Sequence, residues 1–199
     1  GALHNFLGLG NDAIVRLLFY FPALILSLVG PILFVRHLKY SPLVGFFASL
    51  FYTFNTSYLL MVDGGQVGVA LAYGIFPFTL LYLKKLVDTP GFGSFFVALC
   101  LLFTLLISDA RLAAIAAISL FFWLVVSRLA GQKINLFQTL KYLVPLFLAS
   151  FLFTSYWFLP TVKLGFGSIN LPATPLALVS LLNSLLFFGP HWPANIFGQ

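Results

Sequence analysis

Chemistry in this chain has few residues to work with. Its four acidic side chains are all aspartates, at positions 12, 63, 88 and 109, and there is no glutamate. Asp63 lies in "MVDGGQVG" between two long apolar runs, followed by Gly64, Gly65 and Gln66. A carboxylate there serves one of two purposes. It can cap the next helix, accepting a backbone N–H at the positive end of the helix dipole. Alternatively it acts as a catalytic or substrate-orienting group, with the glycines allowing a ligand to approach the backbone closely and Gln66, one turn into the helix, donating to a sugar hydroxyl or phosphate oxygen. Asp109 and Arg111 sit in "SDAR". Their structural role would be an N-cap and an arginine whose charge reaches the interface. Their functional role would be an arginine that holds a phosphate while Asp109 orients it or the acceptor. Lys163, His191 and Trp192, in "VKLGFGSIN" and "GPHWP", complete the candidate substrate-binding set. A lone histidine without a neighbouring His or Cys is a poor metal ligand, so no metal site is expected. No phosphate-binding glycine loop, nucleophile elbow or paired-cysteine motif is present, which argues against ATP hydrolysis.

The elements that must position these residues are membrane helices. Of 199 residues 61% are hydrophobic and 7% charged, against about 25% charged in an ordinary soluble domain, so the chain cannot cover itself with a polar surface. The net charge of +6 would suggest nucleic acid in a soluble protein. Here the basic residues are spread thinly among loops, as topology signals are, and no nucleic-acid partner is expected. Cys100 lies within an apolar run and reads as a buried, inert thiol. The chain begins with Gly and ends in "NIFGQ", and reads as a single transmembrane domain, 1–199, cut from a longer membrane protein.

A hydrocarbon core of about 30 Å takes about 20 apolar residues in a helix. Such runs predict an all-α polytopic bundle of about six spans: Ile14–Val35, Pro42–Val62, Val67–Leu83, Phe92–Ile107, Leu112–Val126 and Leu140–Leu159. The thirteen apolar residues Leu176–Phe188 are short for a span and predict an interfacial or re-entrant helix. Small residues in "ARLAAIAAIS", namely Ala113, Ala114, Ala116, Ala117 and Ser119, predict a close helix contact. Tyr156 and Trp157 suit an aromatic belt. The connections after the first, third and fifth spans hold seven basic residues, Arg36, Lys39, Lys84, Lys85, Arg128, Lys133 and Lys141, against three, Arg16, Arg111 and Lys163, on the other side. The positive-inside rule makes the first set cytoplasmic. Asp12, Asp63 and Asp109 then share the extracytoplasmic face with Lys163 and His191.

The linear order "FVRHLKYSP", "LFYTFNTSYLL", "DGGQVG", "LAYGIFPFTLLYLKKL", "SDARLAAIAAISLFFWLV" and "FLFTSYWFLPTV" resembles the middle of multi-spanning membrane glycosyltransferases of the GT-C superfamily. It is most similar in pattern to the large prokaryotic membrane proteins of the YfhO-like kind. "LLNSLLFFGPHWPANIFG" is similar to an outer segment in some of them. "GGQ" stands here for their more usual glycine-histidine pair, and "NTS" for asparagine-proline. The resemblance implies sugar transfer from a polyprenyl-phosphate donor outside the cytoplasm, a plasma-membrane location in a prokaryote, and an acidic general base in an early outer loop, for which Asp12 is the only early candidate. Asp63 and Asp109 are then the candidate catalytic carboxylates, with Gln66, Arg111, Lys163, His191 and Trp192 binding substrate. No cofactor is specified. Two other classes stay open: a non-catalytic integral subunit packed against other membrane subunits, and a lipid or small-molecule transporter.

Overall fold

A computed structural model describes residues 10–55, 58, 62, 64–132 and 134–164, with 11, 12 and 156–164 as backbone alone. Asp63, Lys133, His191, Trp192 and the expected outer helix Leu176–Phe188 lie outside the described residues, as do the side chains of Asp12, Tyr156, Trp157 and Lys163. The chain divides into two compact units, residues 1–155 and 156–199. The account below concerns the first.

All the regular structure described is helical. Helix α1, Asn11–Val15, passes through a π-helical turn, Arg16–Tyr20, into α2, Phe21–His37. Then come α3, Pro42–Thr53, α4, Val67–Asp88, α5, Phe92–Ser108, α6, Ala110–Leu129, and α7, Leu136–Leu164. Among the described residues, four stretches are long and apolar enough to cross a membrane: Ala13–His37, Val67–Asp88, Ala110–Leu129 and Leu136–Ser155. Helices α3 and α5 are apolar but shorter. The expected second span, Pro42–Val62, is interrupted, because its helix stops at Thr53.

The distribution of polarity is that of a membrane bundle. Large apolar side chains point outward, among them Phe51 at 78% exposed and Phe137 at 84%, while Ser27, Ser49, Thr53, Thr79, Ser127, Ser150 and Thr154 are buried. In water that outer surface would be an aggregation liability; in hydrocarbon it is the solvated side. Because lipid tails are as apolar as the helices, association rests on close packing and interhelical hydrogen bonds. Small residues supply both. A Cβ added at Gly74 would lie 2.6 Å from the Ala23 carbonyl oxygen, and one at Gly30 would lie 2.9 Å from Pro77 Cβ, so α2 and α4 meet almost backbone to backbone. Ser49 donates across to the Leu28 carbonyl, joining α3 to α2. A second core, shared by α4, α5, α6 and α7, is built from Leu83, Leu86, Leu102, Leu105, Leu120 and Leu146 around Ala72, Ala98, Ala113 and Ala116.

Of the alanine-rich stretch, Ala113 and Ala116 are buried but Ala114 is exposed, since only residues three or four apart share a helix face. The same geometry corrects Cys100. The buried stripe of α5 is Ala98, Leu102 and Leu105, and Cys100 lies off that stripe and is exposed.

Candidate functional site

Two clusters of polar residues mark opposite ends of the bundle. At one end α2 and α4 finish together. His37 Nε2 lies 3.0 Å from Asp88 Oδ2, and Lys84 Nζ bonds both oxygens of the same carboxylate. Lys84 also stands 4.1 Å over the Trp123 ring of α6. At the other end α4 begins beside the close of α5, where a Cβ on Gly68 would meet the Ser108 carbonyl oxygen at 3.2 Å. The start of α4 at Gly68 and the "SDAR" turn therefore adjoin, away from the Lys84–Asp88 end.

The "SDAR" turn is built by Asp109. Its extended backbone (φ −159°, ψ 103°) ends α5 and opens α6 as the N-cap. One carboxylate oxygen accepts from the Arg111 backbone N–H at 2.9 Å and from Arg111 Nε at 3.0 Å, and the other accepts from Nη2 at 2.8 Å. The Asp109 side chain is 5% exposed and that of Arg111 79%. Burial pushes the Asp109 carboxyl upward, but the guanidinium bonds, the backbone N–H groups of Arg111 and Leu112 and the charge of Arg111 outweigh it and hold the group below the ordinary carboxylate value. A carboxylate so occupied is a weak proton acceptor. Arg111 is different: Nε and one Nη2 hydrogen face Asp109, two of its five N–H donors, and the rest of an exposed, orientationally fixed guanidinium remains for an anion.

Gln66 occupies the N-cap position of α4 without a side-chain cap bond, preceded by Gly65 at φ +68°. It therefore precedes the helix, where the sequence suggested one turn inside it. Gly64 and Gly65 are exposed, so the backbone of this connection is open to a ligand. The structure thus brings Gln66, Asp109 and Arg111 to one end of the bundle. Asp63 belongs to the same connection in sequence but lies outside the described residues, with His191 and Trp192; Lys163 is described only as part of the α7 backbone.

A third polar cluster was not anticipated. Where α3 ends, Tyr52 and Tyr73 stack with ring centroids 4.2 Å apart. Each hydroxyl donates to the other's backbone carbonyl, Tyr52 Oη to Tyr73 O at 2.7 Å and Tyr73 Oη to Tyr52 O at 2.8 Å. Asn55 Nδ2 donates to Tyr73 Oη and to Tyr52 O, and its Oδ1 accepts from the Tyr58 N–H. A membrane helix can break only where its freed backbone groups find partners, and Asn55 with Tyr73 supplies them. The signal was in the sequence: "FYTFNTSY" places tyrosines and an asparagine in an apolar run. The buried Thr53 Oγ1 and Tyr58 Oη lack hydrogen-bond partners among the described residues. Those residues also hold no group of three or more His, Cys or Asp side chains placed for a metal ion.

Compared with known proteins, the chain matches no family model, no curated protein and no solved structure.

Proposed function

We propose that this chain is part of the membrane-helix bundle of a GT-C-like membrane glycosyltransferase, acting on a polyprenyl-phosphate sugar donor at the extracytoplasmic face. The observation that carries the reading is Arg111, exposed at a helix start, fixed by a buried carboxylate and adjoining an open glycine connection. Loss of a phosphate leaving group develops negative charge, and a preoriented guanidinium stabilises it without reorganising. Asp109, with both oxygens engaged, serves as the positioning residue for Arg111 instead of as a base. The general base falls to Asp63, on its place beside Gly64 and Gln66 and on the family resemblance. Gln66 then orients an acceptor hydroxyl.

The test is sugar transfer by the full-length protein in proteoliposomes, with a labelled polyprenyl-phosphate sugar. Arg111→Ala lowers turnover at least a hundredfold, Arg111→Lys restores part of it, and Asp63→Asn abolishes proton removal and flattens the acid limb of the pH profile. Undiminished transfer by both Arg111→Ala and Asp63→Asn would sink the proposal. The break after Thr53, with buried hydroxyls lacking partners among the described residues, favours a second reading as a transporter, since interrupted membrane helices build substrate sites. Uptake of a solute by vesicles that show no transfer would select it.

A further inference from the structure

The Lys84–Asp88 end of the bundle holds a cavity of about 280 Å³, just below the ligand-pocket sizes of about 300–1,000 Å³ and large enough for a small ligand or headgroup. Its wall includes Asp88 of α4, Trp123 of α6, Gln132 and Asn135 of the α6–α7 connection, and Gln138 and Thr139 of α7. The location is set by two helix ends. Gly131, at φ +76°, turns the chain out of α6 with Gln132 N–H bonded back to Ser127 O at 3.0 Å. Asn135 then caps α7, its Oδ1 accepting from Gln138 N–H at 3.1 Å. Thr139 is 2% exposed, so what surface it retains belongs to the cavity wall.

Among the described residues the wall's one charged side chain, Asp88, is already matched within the protein. Lys84 engages both oxygens of Asp88, His37 lies against one of them, and the same ammonium stands over a face of Trp123. An anion would meet the Asp88 carboxylate, and a cation would compete with Lys84. The groups with valence to spare are the Gln132 and Gln138 amides, the Asn135 NH2 and the Thr139 hydroxyl. Amides and hydroxyls both donate and accept, which suits a ligand that does the same without net charge, and the indole adds an apolar wall.

We propose that this cavity binds a neutral, hydroxyl-rich group, a sugar or polyol, either free or as the headgroup of a glycolipid. The site stands apart from the Arg111 end and does not rest on the sugar-transfer reading. Binding is measured on the full-length protein through the Trp123 emission, taken as the difference between the intact protein and its Trp123→Phe variant. One arm adds methyl glucoside to the protein in detergent. Another compares phosphatidylcholine nanodiscs with and without glucosyl diacylglycerol, and a third uses phosphatidylglycerol. A saturable change is expected in the first or second arm, and which one responds identifies the source. Thr139→Val weakens it about tenfold, Thr139→Ser retains it, and Arg111→Ala leaves it unaltered. No saturable change with either sugar, an equal response in Thr139→Val, or a response to phosphatidylglycerol alone would overturn the proposal.

Discussion

Asp109 shows how much one side chain does in a chain with so few charges. It ends one helix, caps the next and aims a guanidinium. Removing an aspartate N-cap costs about 0.5–2 kcal/mol, so Asp109→Ala should lower thermal stability by that order and release Arg111. The pH dependence follows from the depressed carboxyl. Its stabilisation is fully present above the unfolded-state value and is lost as pH falls through the lower folded-state value. Melting of the detergent-solubilised protein should therefore drop below about pH 4, and Asp109→Asn should remove that part of the drop. Lys39 offers a complementary test. It adopts φ +64° after α2, with Lys39 N–H bonded to Arg36 O and Tyr40 N–H to Val35 O. The same pair of bonds ends α6, where Gly131 takes the left-handed position. A non-glycine residue there costs about 1 kcal/mol, so Lys39→Gly should raise the melting temperature although it removes a surface charge.

At the scale of elements, the decisive feature is the helix that stops at Thr53. Asn55 and Tyr73 both donate to the Tyr52 carbonyl beside the break. Tyr73→Phe removes the donor to Tyr52 O and one of the acceptors of the Asn55 amide, which keeps its bond to Tyr52 O, so a loss of about 0.5–1.5 kcal/mol per hydrogen bond is expected. Hydrogen exchange around residues 50–58 should rise in that variant while α5 and α6 stay protected. The α2–α4 contact should fail differently. Gly74→Ala places a methyl against the Ala23 backbone, which cannot swing aside as a side chain would, so overpacking of about 1–3 kcal/mol is expected. Measured unfolding in mixed micelles would check both, with Gly93→Ala as the control, because nothing surrounds that position.

For the whole molecule, the two ends separate cleanly. His37, Lys84 and Asp88 meet at one, and Gly68, Ser108 and Asp109 gather at the other. The positive-inside rule predicts that the first end faces the cytoplasm. In a Cys100→Ser background, Lys85→Cys should resist a membrane-impermeant maleimide added to intact cells, and Gly64→Cys should react. The reverse pattern would invert the topology. Native Cys100, exposed within an apolar helix, should label from the lipid phase and resist the water-soluble reagent.

The sequence by itself determined the class and, to within three residues, both ends of α5 and α6. Length and hydropathy mark a membrane helix because the bilayer has a fixed thickness, and Asp109 is legible as a cap because capping is local, needing only the next two residues. The interruption after Thr53 was not legible as a break. An unbroken apolar run looks the same whether or not its carbonyls are bonded in the helix, and the groups that permit the break include Tyr73, eighteen residues away. The exposure of Cys100 was likewise decided by which face of α5 meets α4 and α6. That both oxygens of Asp109 are held by Arg111 was visible only when all those bonds could be seen together. Spacing placed the two residues side by side, but the extended backbone at Asp109 and the burial of its carboxylate turned a proximity into a fixed fork.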